Sequence, residues 1–366
     1  MSDRTTADEA GYPLSLRMGT VAAMLNAELA DHPIYDGVEL QWFDDDSHGT
    51  GMLAFLSRRD DRTVDYYAQQ GLTLDRRGYA IGGGTRSWNA TDFDVAHLEV
   101  SEDGVRAQVR FTDVDGRRVE VDVDDRDGRR RRRASLLAPV SAGIANPTSL
   151  MLVWMPGFDL VRQVPGRTPL IRIDGVVAPF GKLPGVRLHR RHLIKYAAPV
   201  CTVELNRDDD LSHEAGREQT ATPTSEAAGL RGLTAVSGPH TATMTLDPPF
   251  PEPSTVTGRS SAEGTWDLGV GVGVGVGGVT LTGGTWSVRN AGDTTDVALE
   301  VTQPWRPHRL PWLMRVVTTV VPVFRRWPTT YAWRATFAGA ERVPASARWY
   351  RTGGQDGDSY RRATGS

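Results

Sequence analysis

The clearest pattern in the chain is a strict alternation of apolar and polar residues between Val95 and Val123. Residues 105–111 alternate with a period of two, and residues 119–123 do so again after the Asp-Gly pair at 115–116. Period-two runs that are separated by Asp-Gly are typical of β-hairpins. This stretch therefore predicts three strands of an antiparallel meander with one apolar face and one charged face.

The same rhythm continues on both sides of this meander. Between residues 38 and 84, short apolar runs are separated by acidic or glycine-rich turns. The turns recur roughly every 8–12 residues, a spacing typical of β-barrels and β-sandwiches. Residues 134–157 contain no charged side chain, which indicates strands buried on both faces or the wall of a cavity. The predicted fold class is all-β, with antiparallel meander barrels or a sandwich.

One segment departs from the alternation. Between Leu14 and Leu29 the apolar residues recur every three or four positions, at 14, 18, 21, 25 and 29. This spacing predicts an amphipathic helix that ends near Pro33, because proline cannot continue a helix. We expect this N-terminal helix to cover one edge or mouth of a sheet.

Composition along the chain suggests two β-domains. We predict an N-terminal β-domain over residues 1–205, which includes the helix, and a C-terminal β-domain over residues 232–350. Residues 206–231 are rich in Asp, Glu, Ser and Thr and are predicted to form a disordered acidic linker or loop. Residues 351–366 are predicted to be a disordered tail.

Glycine and valine alternate between residues 268 and 279. This repeat predicts either a strand with valine on one face or a low-complexity insertion. A dinucleotide-binding loop needs a strand before its glycines and a helix after them, and the strict dipeptide repeat does not fit that pattern.

The net charge of −3 gives no reason to expect a nucleic-acid partner. The single cysteine, Cys201, excludes an internal disulfide and fits a reducing cytosol. No basic-then-apolar leader and no run of about 18 apolar residues is present, so we expect a cytoplasmic protein. The five arginines at 129–133 predict a solvated turn, with a nucleic-acid or phosphate patch as the alternative.

The segment 303–340 combines four tryptophans with six arginines and has no acidic residue. Such a segment is suited to peripheral contact with a membrane surface or to an anionic ligand. The alternative is a last pair of strands that pack tryptophan on a core while arginine extends outward.

The sequence contains no H-E-x-x-H, C-x-x-C, G-x-S-x-G or Walker motif, so we expect neither a metal nor a cofactor. His97 lies on a predicted strand and is a candidate general acid or base if it faces an interior. His192 and Tyr196 share one face of an extended strand and form the second catalytic candidate. The alternatives are a strand histidine that is only hydrogen-bonded and a charged rim before a buried strand.

The tryptophans and the uncharged stretch indicate a cavity for an apolar ligand. The candidate ligand contacts are Trp42, Trp88, Trp154, Phe158, Arg162 and Lys195.

Two tripeptides, Gly264-Thr265-Trp266 and Gly284-Thr285-Trp286, are similar to the Gly-x-Trp that opens a lipocalin barrel. With the all-β pattern, the chain resembles the lipocalin-like superfamily, and in particular its double-barrel members related to carotenoid hydratases, tocopherol cyclase and AttH-type proteins. The resemblance implies a cavity for a large apolar molecule of isoprenoid, fatty acyl or polyketide type. Some of these relatives are cofactor-free hydratases or cyclases.

We therefore expect, first, a protein that binds such a ligand in a β-barrel cavity. The second expectation is a cofactor-independent hydratase, cyclase or isomerase that acts on it. The third is a carbohydrate-binding β-sandwich with exposed tryptophans and paired carboxylates.

Overall fold

The computed structural model describes residues 12–352, except 80–82, 140–143, 145, 181–189, 209–221, 227–228, 252–260, 274–277, 291, 307–325 and 339–343. The protein is all-β, with one sheet curled into a half-barrel, so the predicted fold class is confirmed at this level. The first twelve strands are β1 Leu16–Val21, β2 Ala23–Glu28, β3 Tyr35–Asp45, β4 Gly49–Arg58, β5 Val64–Gln69, β6 Thr85–Thr91, β7 Val95–Ser101, β8 Gly104–Thr112, β9 Arg118–Asp124, β10 Ala134–Ala138, β11 Leu150–Arg162 and β12 Leu170–Ile173. The others are β13 Val176–Val177, β14 Arg191–Ala197, β15 Val200–Leu205, β16 Thr222–Glu226, β17 Gly229–Ser237, β18 His240–Phe250, β19 Ser261–Val272, β20 Val279–Asn290, β21 Thr294–Gln303, β22 Tyr331–Ala338 and β23 Ser346–Arg351.

The chain forms two compact units whose segments alternate along the sequence. Unit 1 contains residues 1–20, 137–154 and 201–366, and unit 2 contains residues 21–136 and 155–200.

Unit 2 is built from two sheets that share one core. In the first sheet the order is β14-β2-β3-β4-β5-β6, with the Met155–Arg162 part of β11 beside β14, and in the second it is β13-β12-β9-β8-β7. Apolar side chains from β2, β3 and β4 meet those from β8, β9 and β12 in a single buried cluster. The core between these sheets is therefore filled with side chains.

The predicted meander is confirmed as β7, β8 and β9 of the second sheet. Val105, Val109 and Phe111 are fully buried, whereas the alternating Arg110 and Thr112 are exposed. The short-range alternation was sufficient here because each strand pairs with its neighbour in the chain.

Unit 1 contains an eight-stranded sheet in which each strand from β16 to β23 pairs with the next. It also contains β1, β15 and the Leu150–Trp154 part of β11, which pairs with β15. Residues 222–226 of the predicted disordered linker form β16, which pairs antiparallel with β17, and residues 229–231 form the start of β17. Arg351 of the predicted tail ends β23. Residues 209–221 and 227–228 of that linker and 353–366 of the predicted tail lie outside the described residues.

The predicted N-terminal helix is wrong, because this segment forms β1 and β2. The buried set changes around a bend at Ala22 from even positions (14, 16 and 18) to odd positions (21, 23, 25, 27 and 29), with Met24 buried as well. This change of phase places apolar residues three and four apart. Two consecutive strands therefore imitate a helical period.

The two Gly-Thr-Trp tripeptides pair with each other on β19 and β20. Gly264 lies opposite Trp286, and Trp266 lies opposite Gly284. A Cβ on Gly264 would lie 2.7 Å from the Trp286 ring, and one on Gly284 would lie 3.0 Å from the Trp266 Nε1. Each glycine thus leaves room for the tryptophan of the other tripeptide, and both indoles are buried.

The glycine–valine repeat forms the end of β19 and the start of β20, so its described part is strand rather than an insertion. Leu268 and Val270 are buried and Val272 is exposed. Residues 274–277 of the repeat lie outside the part of the chain that the structure describes.

Candidate functional site

A single row of side chains crosses six strands of the first sheet of unit 2. Strand register places these residues directly opposite one another, so they share one face of the sheet. The cross-strand row is Lys195, Asn26, Glu39, Phe55, Tyr66 and Trp88, on β14, β2, β3, β4, β5 and β6. Their sequence neighbours Ile194, Ala27, Val38, Ala54 and Tyr67 belong to the shared core. The row therefore lies on the sheet face that is turned away from that core.

The first half of the row is polar. Asn26 Nδ2 donates to Glu39 Oε2 at 2.9 Å, and Gln41 Nε2 donates to Glu39 Oε1 at 2.7 Å. Lys195 Nζ forms an ion pair with Glu28 at 2.5 Å. Two amides thus fix the orientation of the Glu39 carboxyl, while Lys195, the cation of the row, is paired with Glu28.

Burial raises the pKa of the Glu39 carboxyl, and this effect exceeds the opposing effects of the two amide donors and of Lys195. Glu39 nevertheless keeps part of its surface accessible to solvent. A carboxyl group that is surrounded by protein and still accessible can exchange a proton with a bound molecule.

The second half of the row is aromatic. The Tyr66 ring contacts Phe55 at 5.3 Å and stacks on Trp88 at 4.7 Å. Tyr79, from the short 3₁₀ helix Arg76–Tyr79, packs edge-on against Trp88 at 5.7 Å. The Arg76 guanidinium lies 5.3 Å from the Trp88 ring centre. The hydroxyl of Tyr79 donates to Gln41 Oε1 at 3.2 Å, which joins the aromatic half to the polar half.

Two of the predicted ligand contacts, Trp88 and Lys195, therefore lie at opposite ends of one row. Trp42 packs instead against the shared core of unit 2, and Phe158 is buried. The sequence pattern does not single out Asn26 or Glu39 as site residues. An acidic residue between the apolar Val38 and Leu40 looks like the solvent side of an ordinary strand. Only the strand register shows what lies beside it.

Trp154 is buried in unit 1, and its indole Nε1 has no hydrogen-bond acceptor among the described residues. The same is true of Trp305, Trp327 and Trp333 from the predicted membrane-contact segment. These three indoles are interior, while Arg306, Arg326 and Arg334 are exposed, as the alternative for this segment predicted. Residues 307–325, including Trp312, fall outside the described ranges.

His97 is exposed on β7, with 46% of its side chain accessible, and lies 3.7 Å from Glu99. Ala96 and Val100, beside it in the strand, pack against the core. Strand alternation therefore turns His97 outward with Glu99, so the condition for its role as a general acid or base, a position facing an interior, is not met.

His192 and Tyr196 lie on β14 but have different surroundings. The half-buried His192 contacts Phe180 edge-on at 6.0 Å, and burial lowers its pKa. Tyr196 is fully buried, and burial raises the pKa of its hydroxyl to about 12. Arg131 Nη1 donates to the Tyr196 hydroxyl at 3.0 Å. Tyr196 thus stays neutral and serves as an acceptor for a buried cation.

Arg131 is the centre of a buried ion pair. Its Nη1 lies 2.5 Å from Asp125 Oδ2, and both side chains are at most 1% exposed. Backbone amides of Val105 and Arg162 also donate to Asp125, at 2.8 and 2.7 Å. The prediction of a solvated turn at residues 129–133 is therefore wrong for Arg131, because its ion pair with Asp125 holds this side chain in the interior.

A pocket of about 220 Å³ opens elsewhere in unit 2, lined mainly by polar groups such as Tyr67, Asn89, Asp92 and Asp113. The Tyr35 hydroxyl donates to Asp113 at 2.7 Å, and Arg117 lies 3.2 Å from the same carboxylate. The charge of Asp113, a buried carboxylate of this pocket, is thus already compensated by groups of the protein. None of the predicted site residues lines this pocket.

No family model, no curated protein and no solved structure matches this chain. The lipocalin-like resemblance accordingly stays a prediction. In the part of the chain that the structure describes, no helix has the length and apolar character needed to cross a bilayer.

Proposed function

We propose that the protein binds an apolar small molecule of isoprenoid, fatty acyl or polyketide type along the cross-strand row. The observation that carries this proposal is the division of the row into a polar half and an aromatic half. A ligand with a long unsaturated body and one polar group matches such a surface. Aromatic faces bind flat apolar groups, and a few polar side chains fix the orientation.

The polar half would receive the functional group of the ligand. Asn26 and Gln41 present amides, and Lys195 and Glu28 form a charged pair at the end of the row. The aromatic half would receive the body of the ligand on the partly exposed Trp88 and Tyr79, because Tyr66, which packs against both rings, is fully buried. A carbohydrate-binding sandwich is less well supported, because none of the described tryptophans is fully exposed.

Titration of the purified protein with farnesol, followed by tryptophan fluorescence and calorimetry, tests this proposal. We expect Trp88→Leu to weaken binding roughly fivefold to tenfold, because one stacked aromatic contact contributes about 1 kcal/mol. Tyr350→Leu, at a half-exposed aromatic position on β23, is the matched control and should leave the affinity unchanged. Equal affinities for the two variants, or no binding of farnesol, would refute the proposal.

A second candidate function is cofactor-independent hydration or cyclisation of such a ligand. The observation that favours it is Glu39, whose pKa is raised by burial beside the aromatic half of the row. A protonated Glu39 would transfer its proton to a carbon of a C=C bond and leave a cation at the neighbouring carbon. Facing aromatic rings stabilise such a cation. Attack by water and return of one proton to the Glu39 carboxylate would complete hydration.

Incubation of the protein with farnesol in H₂¹⁸O, with mass spectrometry of the products, tests the second function. We expect ¹⁸O in a hydrated product, and its loss in Glu39→Gln while farnesol binding persists. Glu120→Gln, which changes a carboxylate on β9 of the second sheet, is the control and should retain turnover. Turnover by Glu39→Gln at the unaltered rate would exclude Glu39 as the proton donor.

A further inference from the structure

Two arginines face each other across β11 and β14. Arg162 and Arg191 are register partners, at the point where the pairing shifts by a bulge. Like charges that lie directly opposite in an antiparallel pair destabilise a sheet. Such a pair needs a negative partner.

The only carboxylate within ion-pair distance of both, among the residues that the structure describes, is Asp159. Its Oδ2 lies 3.4 Å from Arg162 Nη2, and its Oδ1 lies 3.4 Å from Arg191 Nη2. Both distances exceed those of a strong charge-assisted hydrogen bond. Each arginine therefore makes one weak contact with the shared carboxylate of Asp159, through a single terminal nitrogen.

One further donor of each arginine is unpaired among the described residues. Their Nε atoms are buried and have no acceptor in the described part of the chain. The side chains of Arg162 and Arg191 are 33% and 21% exposed, so a small solute can reach them. Buried donors without acceptors are rare and indicate that something else satisfies them.

The charges around this site do not balance. Asp125 is already paired with Arg131, and Arg133 donates to the Ser101 carbonyl and lies over the Tyr196 ring, 5.7 Å from its centre. Arg131 and Arg133 contact Tyr196, whose hydroxyl donates to Asp159 Oδ2 at 3.5 Å. Among the described residues, this connected group contains four guanidinium groups, of Arg131, Arg133, Arg162 and Arg191, and two carboxylates, of Asp125 and Asp159. The excess is two positive charges.

We propose that Arg162 and Arg191 hold a phosphate-type oxyanion, with Asp159 positioning both guanidinium groups. Two arginines that converge on one point suit phosphate oxygens, because a guanidinium presents several donors in one plane. A dianion also matches the excess charge. This site is independent of the cross-strand row, and its proposal does not rest on the proposed ligand.

The proposal predicts that the difference in stability between the wild-type protein and Arg191→Gln changes sign when phosphate is added. A purely structural salt bridge would not produce this change. In buffer without phosphate, Arg191→Gln should be at least as stable as the wild-type protein, because it relieves the repulsion between the two arginines. With saturating inorganic phosphate the order should reverse, because only the wild-type protein gains the binding energy. Thermal unfolding of both proteins, at ionic strength matched with sodium chloride, measures this.

Calorimetric titration with inorganic phosphate gives the affinity directly. We expect Arg191→Gln to weaken binding roughly tenfold or more. Arg191→Lys keeps the charge without the planar group and should also bind more weakly while remaining folded. Arg172→Gln, at an arginine of β12 that is 38% exposed and pairs with Glu120 at 2.7 Å, is the matched control and should bind phosphate normally.

Three outcomes would overturn the proposal. The first is stabilisation by phosphate no greater than that by chloride at equal ionic strength. The second is an equal loss of phosphate binding in Arg172→Gln. The third is binding of acetate as tight as that of phosphate, which would make the site one for carboxylates.

Discussion

At the scale of single residues, two neighbouring arginines of one run have opposite environments. Arg131 is buried against Asp125, whereas Arg130 is 81% exposed and lies 3.5 Å from Glu102. Buried and exposed ion pairs differ greatly in their effect on stability. Loss of one buried partner leaves an uncompensated charge, while exposed pairs contribute little.

This contrast predicts different losses of stability when Arg131 and Arg130 are each replaced by methionine. Arg131→Met should lower the free energy of unfolding by about 3–5 kcal/mol, because the carboxylate of Asp125 would remain buried without its cation. Arg130→Met should change it by less than about 0.5 kcal/mol. Urea denaturation followed by circular dichroism measures both. Similar losses in the two variants would show that Asp125 does not depend on Arg131.

The raised pKa of Glu39 has a consequence for stability as a function of pH. Below the ordinary value of 4.5 the carboxyl is protonated in both the folded and the unfolded protein. As the pH rises above this value, the unfolded chain loses the proton first, so the folded state becomes relatively less stable, by up to about 1.4 kcal/mol per pH unit. The penalty stops growing once the pH passes the raised folded-state pKa.

Glu39→Gln should remove this dependence. We expect the difference in unfolding free energy between wild type and Glu39→Gln to shift in favour of the variant as the pH rises from 4 to 7. Urea denaturation across this range measures the difference. A difference that does not change with pH would mean that Glu39 titrates normally in the folded protein.

At the scale of elements, the close pairing of β20 with β21 depends on Gly284. A Cβ at position 284 would lie 1.8 Å from the Glu300 carbonyl oxygen, which is a backbone atom that cannot easily move. We expect Gly284→Ala to destabilise the protein by about 3 kcal/mol or more in thermal or urea unfolding.

Gly37 provides the control for this prediction. It also lies in a strand, but a Cβ there would contact the Ala27 carbonyl oxygen at an ordinary 3.5 Å. Gly37→Ala should therefore change stability by less than about 1 kcal/mol. A tolerated Gly284→Ala would show that β20 and β21 can separate enough to admit a methyl group.

The elements also show where sequence patterns suffice. The meander β7–β9 was predictable because its three strands pair in chain order, β7 with β8 and β8 with β9. The segment 14–29 was misread because a bend between two strands imitates a helical period. The cross-strand row was not predictable, because it joins residues as distant as Asn26 and Lys195 through strand register. Trp88 and Lys195 are separate candidate ligand contacts in the sequence, and nothing in the sequence links either of them to Glu39.

At the scale of the whole molecule, unit 1 draws on three separate stretches of the chain. Trp349 Nε1 donates to the Leu205 carbonyl at 3.0 Å, and the Tyr331 hydroxyl donates to the Ile144 carbonyl at 2.9 Å. The Ser15 amide donates to Asn206 Oδ1 at 2.9 Å. The eight-stranded sheet is thus tied to residues that precede position 206.

These ties predict that a fragment of residues 206–366 does not fold alone. It would lack β1, β15 and residues 137–154, and the buried Trp349 would lose part of its surroundings. We expect no cooperative thermal transition for this fragment by circular dichroism. Mixing it with a fragment of residues 1–205 should restore a transition, because each half then supplies the hydrogen-bond partners that the other lacks. A fragment 206–366 that melts cooperatively near the temperature of the full chain would instead mark position 205 as a true domain boundary.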